Sequence, residues 1–197
     1  MRAGLFFGTF NPVHRGHEAL CLSFLGSGFV DELWILPTPD PPHKESRQLA
    51  GFEDRWKMLR EVFPEDGQPR LCDIEKDLPS PQYTIRTIGH LRDRFPLVRF
   101  SLCIGGDTLE SLSTWYRYRQ LAQHVRLLVA ERPGLPVRIP DHARTFEVVF
   151  CPHEPVEISS SDIRAAIAGG EKPGADVLHP GVMDYIEKKG LYVNADF

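Results

Sequence analysis

Residues 3–17 read Ala3-Gly4-Leu5-Phe6-Phe7-Gly8-Thr9-Phe10-Asn11-Pro12-Val13-His14-Arg15-Gly16-His17, and Ala19, Leu20, Leu22 and Phe24 continue as a helix-like apolar pattern. An apolar run that breaks at a glycine-containing turn and resumes with helical spacing is the opening of a strand–loop–helix unit. The same alternation continues along the chain. Apolar runs at 33–36, 70–74, 98–104, 125–130 and 146–150 join residues 3–7 as six predicted strands. Between them, Phe52, Trp56, Leu59 and Phe63, and then Ile85, Ile88, Leu91 and Phe95, recur at helical intervals. Strands that are apolar on both faces and alternate with helices predict an α/β protein, with a Rossmann-like, mostly parallel sheet and helices on both faces. Ligands bind such sheets beyond the carboxyl ends of the strands, and the stretch after Phe7 lies at such an end.

From Ser159 onward the pattern changes. Helical stretches at 163–167 and 182–188 have no strand between them. This predicts a small C-terminal helical cap over 158–197 on an α/β core over 1–157, the whole forming one domain. The Pro- and Gly-rich segment 132–142 reads as a loop between strands. The Pro-rich segment 37–44 reads as an extended loop on the binding edge.

Composition narrows the function. With 42% hydrophobic and 25% charged residues the chain is globular rather than disordered. Its 23 Lys and Arg against 27 Asp and Glu give a net charge of −4, without the broad basic face that binding a nucleic acid polymer requires. No apolar run approaches the ~20 residues of a membrane span, and the N-terminus lacks a leader-like segment. Cys21, Cys72, Cys103 and Cys151 are widely separated and make no metal-ligand spacing. A cytoplasmic protein with reduced cysteines, acting on a small ligand, is the expectation.

The stretch after the first strand outlines a phosphate site. Gly8 would let backbone approach a ligand closely, and a helix starting near His14 would turn its free N–H groups and positive dipole end toward an anion. His14 and His17, three residues apart, share one face of its first turn, and Gly16 between them leaves room for a bulky ligand. Structural histidines or a metal pair are the alternatives, but His-x-x-His here lacks the glutamate of zinc proteases. The other phosphate fingerprints fail, since Gly26-Ser27-Gly28 is followed by Asp31 where a third glycine is needed.

A strand followed by Gly-Thr-Phe-Asn-Pro-x-His-x-Gly-His resembles the signature of the HxGH nucleotidyltransferases, which transfer AMP or CMP from a nucleoside triphosphate to a phosphate group. Four further segments narrow the resemblance: Pro41-Pro42-His43-Lys44, Tyr83-Thr84, Gly105-Gly106-Asp107 continuing to Trp115-Tyr116, and Ile158-Ser159-Ser160-Ser161-Asp162-Ile163-Arg164. In this order and at these intervals they resemble the bacterial nicotinate-nucleotide adenylyltransferases, from Phe7 to Tyr192. Two positions depart from the pattern: Phe7, where many members carry a second glycine, and Asn11, where Asp is common.

The resemblance implies an enzyme that joins ATP and nicotinate mononucleotide into deamido-NAD with release of pyrophosphate. It makes His14, His17 and Arg164 the catalytic group. It assigns ATP to Gly8, Thr9, Phe10, His14, Gly16, His17, Gly105, Asp107, Ser159, Ser161 and Arg164. Asp107 would face sugar hydroxyls, and Ser159, Ser161 and Arg164 the phosphates. The mononucleotide falls to Asn11, His43, Lys44, Thr84, Trp115 and Tyr116. Trp115 would be the platform under the pyridine ring, and the backbone N–H groups of Thr84 and Tyr116 would meet the nicotinate carboxylate. Mg2+ would be bound mainly by ATP phosphates, with no protein metal site. Read from the residues alone, Ser159-x-x-Asp162 is equally a helix capping box, and Asp107 could cap a helix beginning at Thr108. Two other functions compete. A pantetheine-phosphate adenylyltransferase shares the first motif but lacks the Trp115 and 159–164 features. A nucleotide-sensing module without turnover would be expected to have lost a histidine.

Overall fold

The apolar runs are continuous because the strands they form are buried on both faces. The computed structural model describes residues 1–40, 49–131, 138–154 and 156–193. Its strands are β1 (Arg2–Gly8), β2 (Glu32–Pro37), β3 (Arg70–Leu71), β4 (Arg99–Gly105), β5 (Arg126–Glu131) and β6 (Val148–Pro152). All neighbours pair in parallel, in the order β3-β2-β1-β4-β5-β6. Side chains two apart share a face. Phe6, Leu33, Ile35, Cys103 and Leu128 point to one side, and Leu5, Trp34, Leu36, Leu102 and Leu127 to the other.

Helices close both faces. On the first lie α1 (Arg15–Gly26), α2 (Phe52–Val62), α6 (Ser160–Ala168) and α7 (Pro180–Lys189). On the second lie α3 (Thr84–Arg94), α4 (Gly106–Ser111) and α5 (Tyr118–Leu121). Cys21, Met58, Ile163, Ile167, Val182 and Ile186 belong to one apolar cluster, so the C-terminal helices complete the layer begun by α1 and α2. Among the described residues no helix is long and apolar enough to cross a membrane.

Three local expectations are corrected. The third strand is only two residues long: Cys72 still donates its N–H to Ile35 O (2.9 Å), after which residues 74–77 wind into a 3-10 helix that brings Ile74 into the core. The α4 helix begins at Gly106, with Gly105 extended before it, so Asp107 sits inside the first turn rather than capping it. In the 132–142 segment, of which 132–137 lie outside the described residues, Asp141–Ala143 form a 3-10 turn that buries Ala143.

Central β1 leaves little room beside Gly4. A Cβ there would lie 2.8 Å from Cys103 Sγ and 2.9 Å from Leu33 Cδ1, both in fully packed surroundings. Gly4→Ala should therefore destabilise the protein by about 1–3 kcal/mol through overpacking. Each kcal/mol corresponds to a fall of roughly 2–4 °C in Tm at this chain length, and a thermal melt at or above the wild-type Tm would contradict this packing.

Candidate active site

Because β1 sits between β2 and β4, the connections leaving β1 and β4 pass to opposite faces of the sheet and open a crevice at their carboxyl ends. A cavity of about 540 Å3 occupies it, lined by Gly8, Thr9, Thr38, Thr84, Gly105 and Trp115 among others. A larger concavity of about 810 Å3 lies at the amino ends of the strands, among Arg2, Arg99 and Arg126. It touches none of the residues predicted from the sequence, and the carboxyl-end crevice is therefore the candidate site.

On one side of the crevice the loop after β1 is pinned by aromatic packing. Phe10 takes a left-handed backbone conformation (φ 50°), uncommon for a residue with a side chain, and is 1% exposed. Its ring packs edge-on to Phe6 at 5.6 Å and against His17 at 4.9 Å, and the His14 and His17 rings lie 3.8 Å apart. Phe10 is thus core, and only its backbone is placed to serve a ligand.

The glycines answer to these rings. A Cβ on Gly8 would strike the Phe10 ring at 2.8 Å, and one on Gly16 would press on the His14 ring at 3.0 Å. The space that the sequence reading left for a ligand is filled by the protein's own side chains.

His14 ends the loop in extended conformation as the residue before α1. Its N–H donates to His17 Nδ1 at 3.2 Å, so the His17 ring carries its proton on Nε2. Burial pushes the His14 imidazole down to about 4, which leaves it neutral near pH 7. The start of α1 is less open than expected: Arg15 N–H donates to Val177 O at 3.0 Å, and the Arg15 side chain engages Glu18 and Ala175 O.

Arg164 and Ser160 fasten α6 to the same loop. Arg164 is 6% exposed, and its Nη1 donates to Asn11 O (2.9 Å) and Ser160 O (3.0 Å). Nη2 reaches Ser161 Oγ at 3.3 Å, while Ser160 Oγ donates to Pro12 O at 3.0 Å. Ser159 is the cap: its Oγ accepts from Asp162 N–H at 3.1 Å and donates to the Asp162 carboxylate at 2.7 Å. The side chain of Asn11 is also engaged within the protein. Its Oδ1 accepts from Ala50 N–H (3.0 Å) and from Tyr192 O–H (2.8 Å).

The opposite side of the crevice is aromatic and open. Thr84 is the first residue of α3, whose initial N–H groups have no acceptor within the helix. Tyr83 and Tyr116 stack at 4.3 Å with the Arg86 guanidinium 5.1 Å from the Tyr83 ring. Trp115 is half-buried, lining the cavity while its other side packs on the core. A Cβ on Gly105 or Gly106 would meet open space, and exposed Asp107 follows them. Behind α3, Thr87 Oγ1 donates to the buried Glu75 carboxyl at 2.7 Å, and burial raises that carboxyl to about 7.

Gly8, Thr9, Gly105, Thr84, Trp115 and Tyr116 therefore converge on one cavity, and the two histidines, Ser161 and Arg164 gather behind the β1 loop. His43 and Lys44 lie outside the described residues. The sequence gives Tyr83 a place in a motif but no role, and no motif includes Glu75 or, above all, Arg55, which is fully buried. Arg55 was detectable: it stands three residues after Phe52 and four before Leu59, on the apolar stripe of its helix.

Residues 5–166 match the protein family described as Cytidylyltransferase-like. Over 192 residues the chain is 37% identical to a Shouchella clausii protein named "Probable nicotinate-nucleotide adenylyltransferase", covering 97% of this chain and 96% of that one. It is 30% identical to the nicotinate-nucleotide adenylyltransferase of Bacillus subtilis, covering 97% and 98%. In fold it is similar to the Plasmodium falciparum nicotinic acid mononucleotide adenylyltransferase solved with NaAD, with a TM-score of 0.81 at 18% identity over 97% of each chain. With a family match over residues 5–166 and near-complete coverage at these identities, the chain belongs to the cytidylyltransferase-like family and, within it, to the nicotinate-nucleotide adenylyltransferases.

Proposed function

We propose that the protein transfers the adenylyl group of ATP to nicotinate mononucleotide. The observation that carries this reading is the division of one crevice by the loop 8–12: a stacked histidine pair, His14 buried and His17 half-buried, on one side, and an aromatic cavity of mononucleotide size on the other. A phosphate oxygen of the mononucleotide attacks the α-phosphorus of ATP, the bond from that phosphorus to the bridging oxygen breaks, and pyrophosphate leaves with the electron pair. The products are deamido-NAD and pyrophosphate, with no covalent enzyme intermediate.

The protein's part is alignment and charge stabilisation. His17 offers Nε2–H to the phosphates because Nδ1 is already accepting, and neutral His14 stacks against it. Asp107 in the first turn of α4 is suited to a ribose diol, and Arg164 and Ser161 bring α6 to the triphosphate side. Phosphate oxygens of ATP are fitting ligands for Mg2+, which commonly binds through substrate phosphates. Mg2+ so bound would neutralise charge on the leaving pyrophosphate. The four free cysteines support a cytoplasmic location.

Pyrophosphate release from ATP and Mg2+ with each candidate acceptor tests the reading. Nicotinate mononucleotide should be used with kcat/KM at least about tenfold above nicotinamide mononucleotide. Hydrogen bonds to a charged acceptor are worth ~1.5–3 kcal/mol, and the start of α3 presents N–H donors that an amide serves less well. Equal specificity constants, or turnover only with phosphopantetheine, would refute it.

Trp115→Ala separates stacking from packing. Loss of an indole face from a cationic pyridinium ring should raise KM for the mononucleotide roughly 2-fold to 30-fold while KM for ATP stays within about twofold. A large fall in Tm with parallel loss of both affinities would show Trp115 to be a core residue instead.

A further inference from the structure

Arg55 is a cation in the middle of the protein, 0% exposed, and among the described residues no carboxylate forms an ion pair with it. Burial without an ion pair is costly for a guanidinium, and here it lowers the group's proton affinity. What holds it is a set of carbonyls. Nη1 donates to Thr9 O at 2.8 Å and Thr38 O at 2.9 Å, Nη2 to Pro39 O at 3.0 Å, and Nε to Ala50 O at 3.0 Å. The planar fork reaches four oxygens from three separate stretches of chain, which the point charge of a lysine cannot do.

Those stretches are not random parts of the core. Thr9 and Thr38 follow β1 and β2, lie side by side, and both line the cavity; Thr38 N–H also donates to Gly8 O at 3.0 Å. One nitrogen thus sets the spacing of two cavity-lining segments, and the same contact fixes a peptide plane. In a trans peptide the C=O and N–H point in opposite directions, so holding Thr9 C=O inward turns the Phe10 N–H away from the guanidinium. Arg55 holds the loop at the carbonyl before Phe10, as Arg164 holds it at the carbonyl after, Asn11 O.

We infer that Arg55 is a positioning residue for the acceptor: by clamping Thr9, Thr38, Pro39 and Ala50 it sets the width of the mononucleotide half of the crevice. It touches no reacting atom. The inference rests on the reading of that cavity as the mononucleotide site.

The test compares Arg55→Lys and Arg55→Gln with wild type in two-substrate kinetics, with the folded fraction measured by circular dichroism and thermal melts. Per folded molecule, both variants should lower kcat/KM for nicotinate mononucleotide about tenfold or more, equivalent to about 1.4 kcal/mol, while KM for ATP changes less than about threefold. Lys should not rescue Gln, because the fork and not the charge alone does the clamping. Constants per folded molecule equal to wild type, or equal loss for both substrates, would overturn the inference while leaving the activity in place. Failure of both variants to fold would overturn it too, making Arg55 a residue of the fold rather than of the cavity. A wild-type protein that does not use the mononucleotide would overturn the functional reading and this inference with it.

Discussion

The ring of Phe10 under the histidines is the contact on which the rest of the site depends. Its left-handed backbone turn lets the chain leave β1, fold its own aromatic side chain back beneath Gly8, and still enter α1 with both imidazoles on one face. A strained residue persists only where its surroundings over-determine it. Here they do so from both sides: Phe6 and His17 grip the ring, while Arg55 holds the carbonyl before it and Arg164 the carbonyl after it.

That arrangement also explains how a chain of net charge −4 supports a phosphate site. Among the described residues the buried Arg55 guanidinium is bound to carbonyl oxygens and to no carboxylate, so its positive charge is not neutralised locally. In a low-dielectric interior such charge acts over longer distances than it would in water. Neutral His14 adds hydrogen-bonding capacity without adding to the burden of buried charge. The opposite half of the crevice is built on another principle, with aromatic surfaces from Trp115, Tyr83 and Tyr116 set at the start of α3.

The sheet was legible in the sequence because central parallel strands bury both faces, and the runs around Leu5, Leu33, Leu102 and Leu127 therefore read as unbroken apolar segments. The third strand was overread, since Ile74 is apolar for a 3-10 turn at the sheet edge rather than for a ladder. The stripe on α2 was read through Trp56, yet the buried residues are Arg55, Met58 and Leu59. An arginine counts as polar in a hydrophobicity pattern, and only its spacing from Phe52 and Leu59 marks Arg55 as lying on the buried face. In the site, the spacing of His14 and His17 was readable because it is local. The partners of Asn11, by contrast, come from 39 and 181 residues away. No local pattern announces such contacts. The glycines at 8 and 16 answer to neighbours that only the folded chain brings near: the Phe10 ring at Gly8 and the His14 ring at Gly16.

In the proposed function, loop 8–12 divides one crevice between a triphosphate and a mononucleotide. A crystal structure of the protein with a non-hydrolysable ATP analogue and nicotinate mononucleotide tests it most directly. Triphosphate oxygens should lie about 3 Å from the ring nitrogens of His14 or His17, with the pyridine ring against Trp115 at the carboxyl ends of β1 and β4. Triphosphate bound instead among Arg2, Arg99 and Arg126 at the amino ends of the strands, with the histidine pair out of reach, would contradict it.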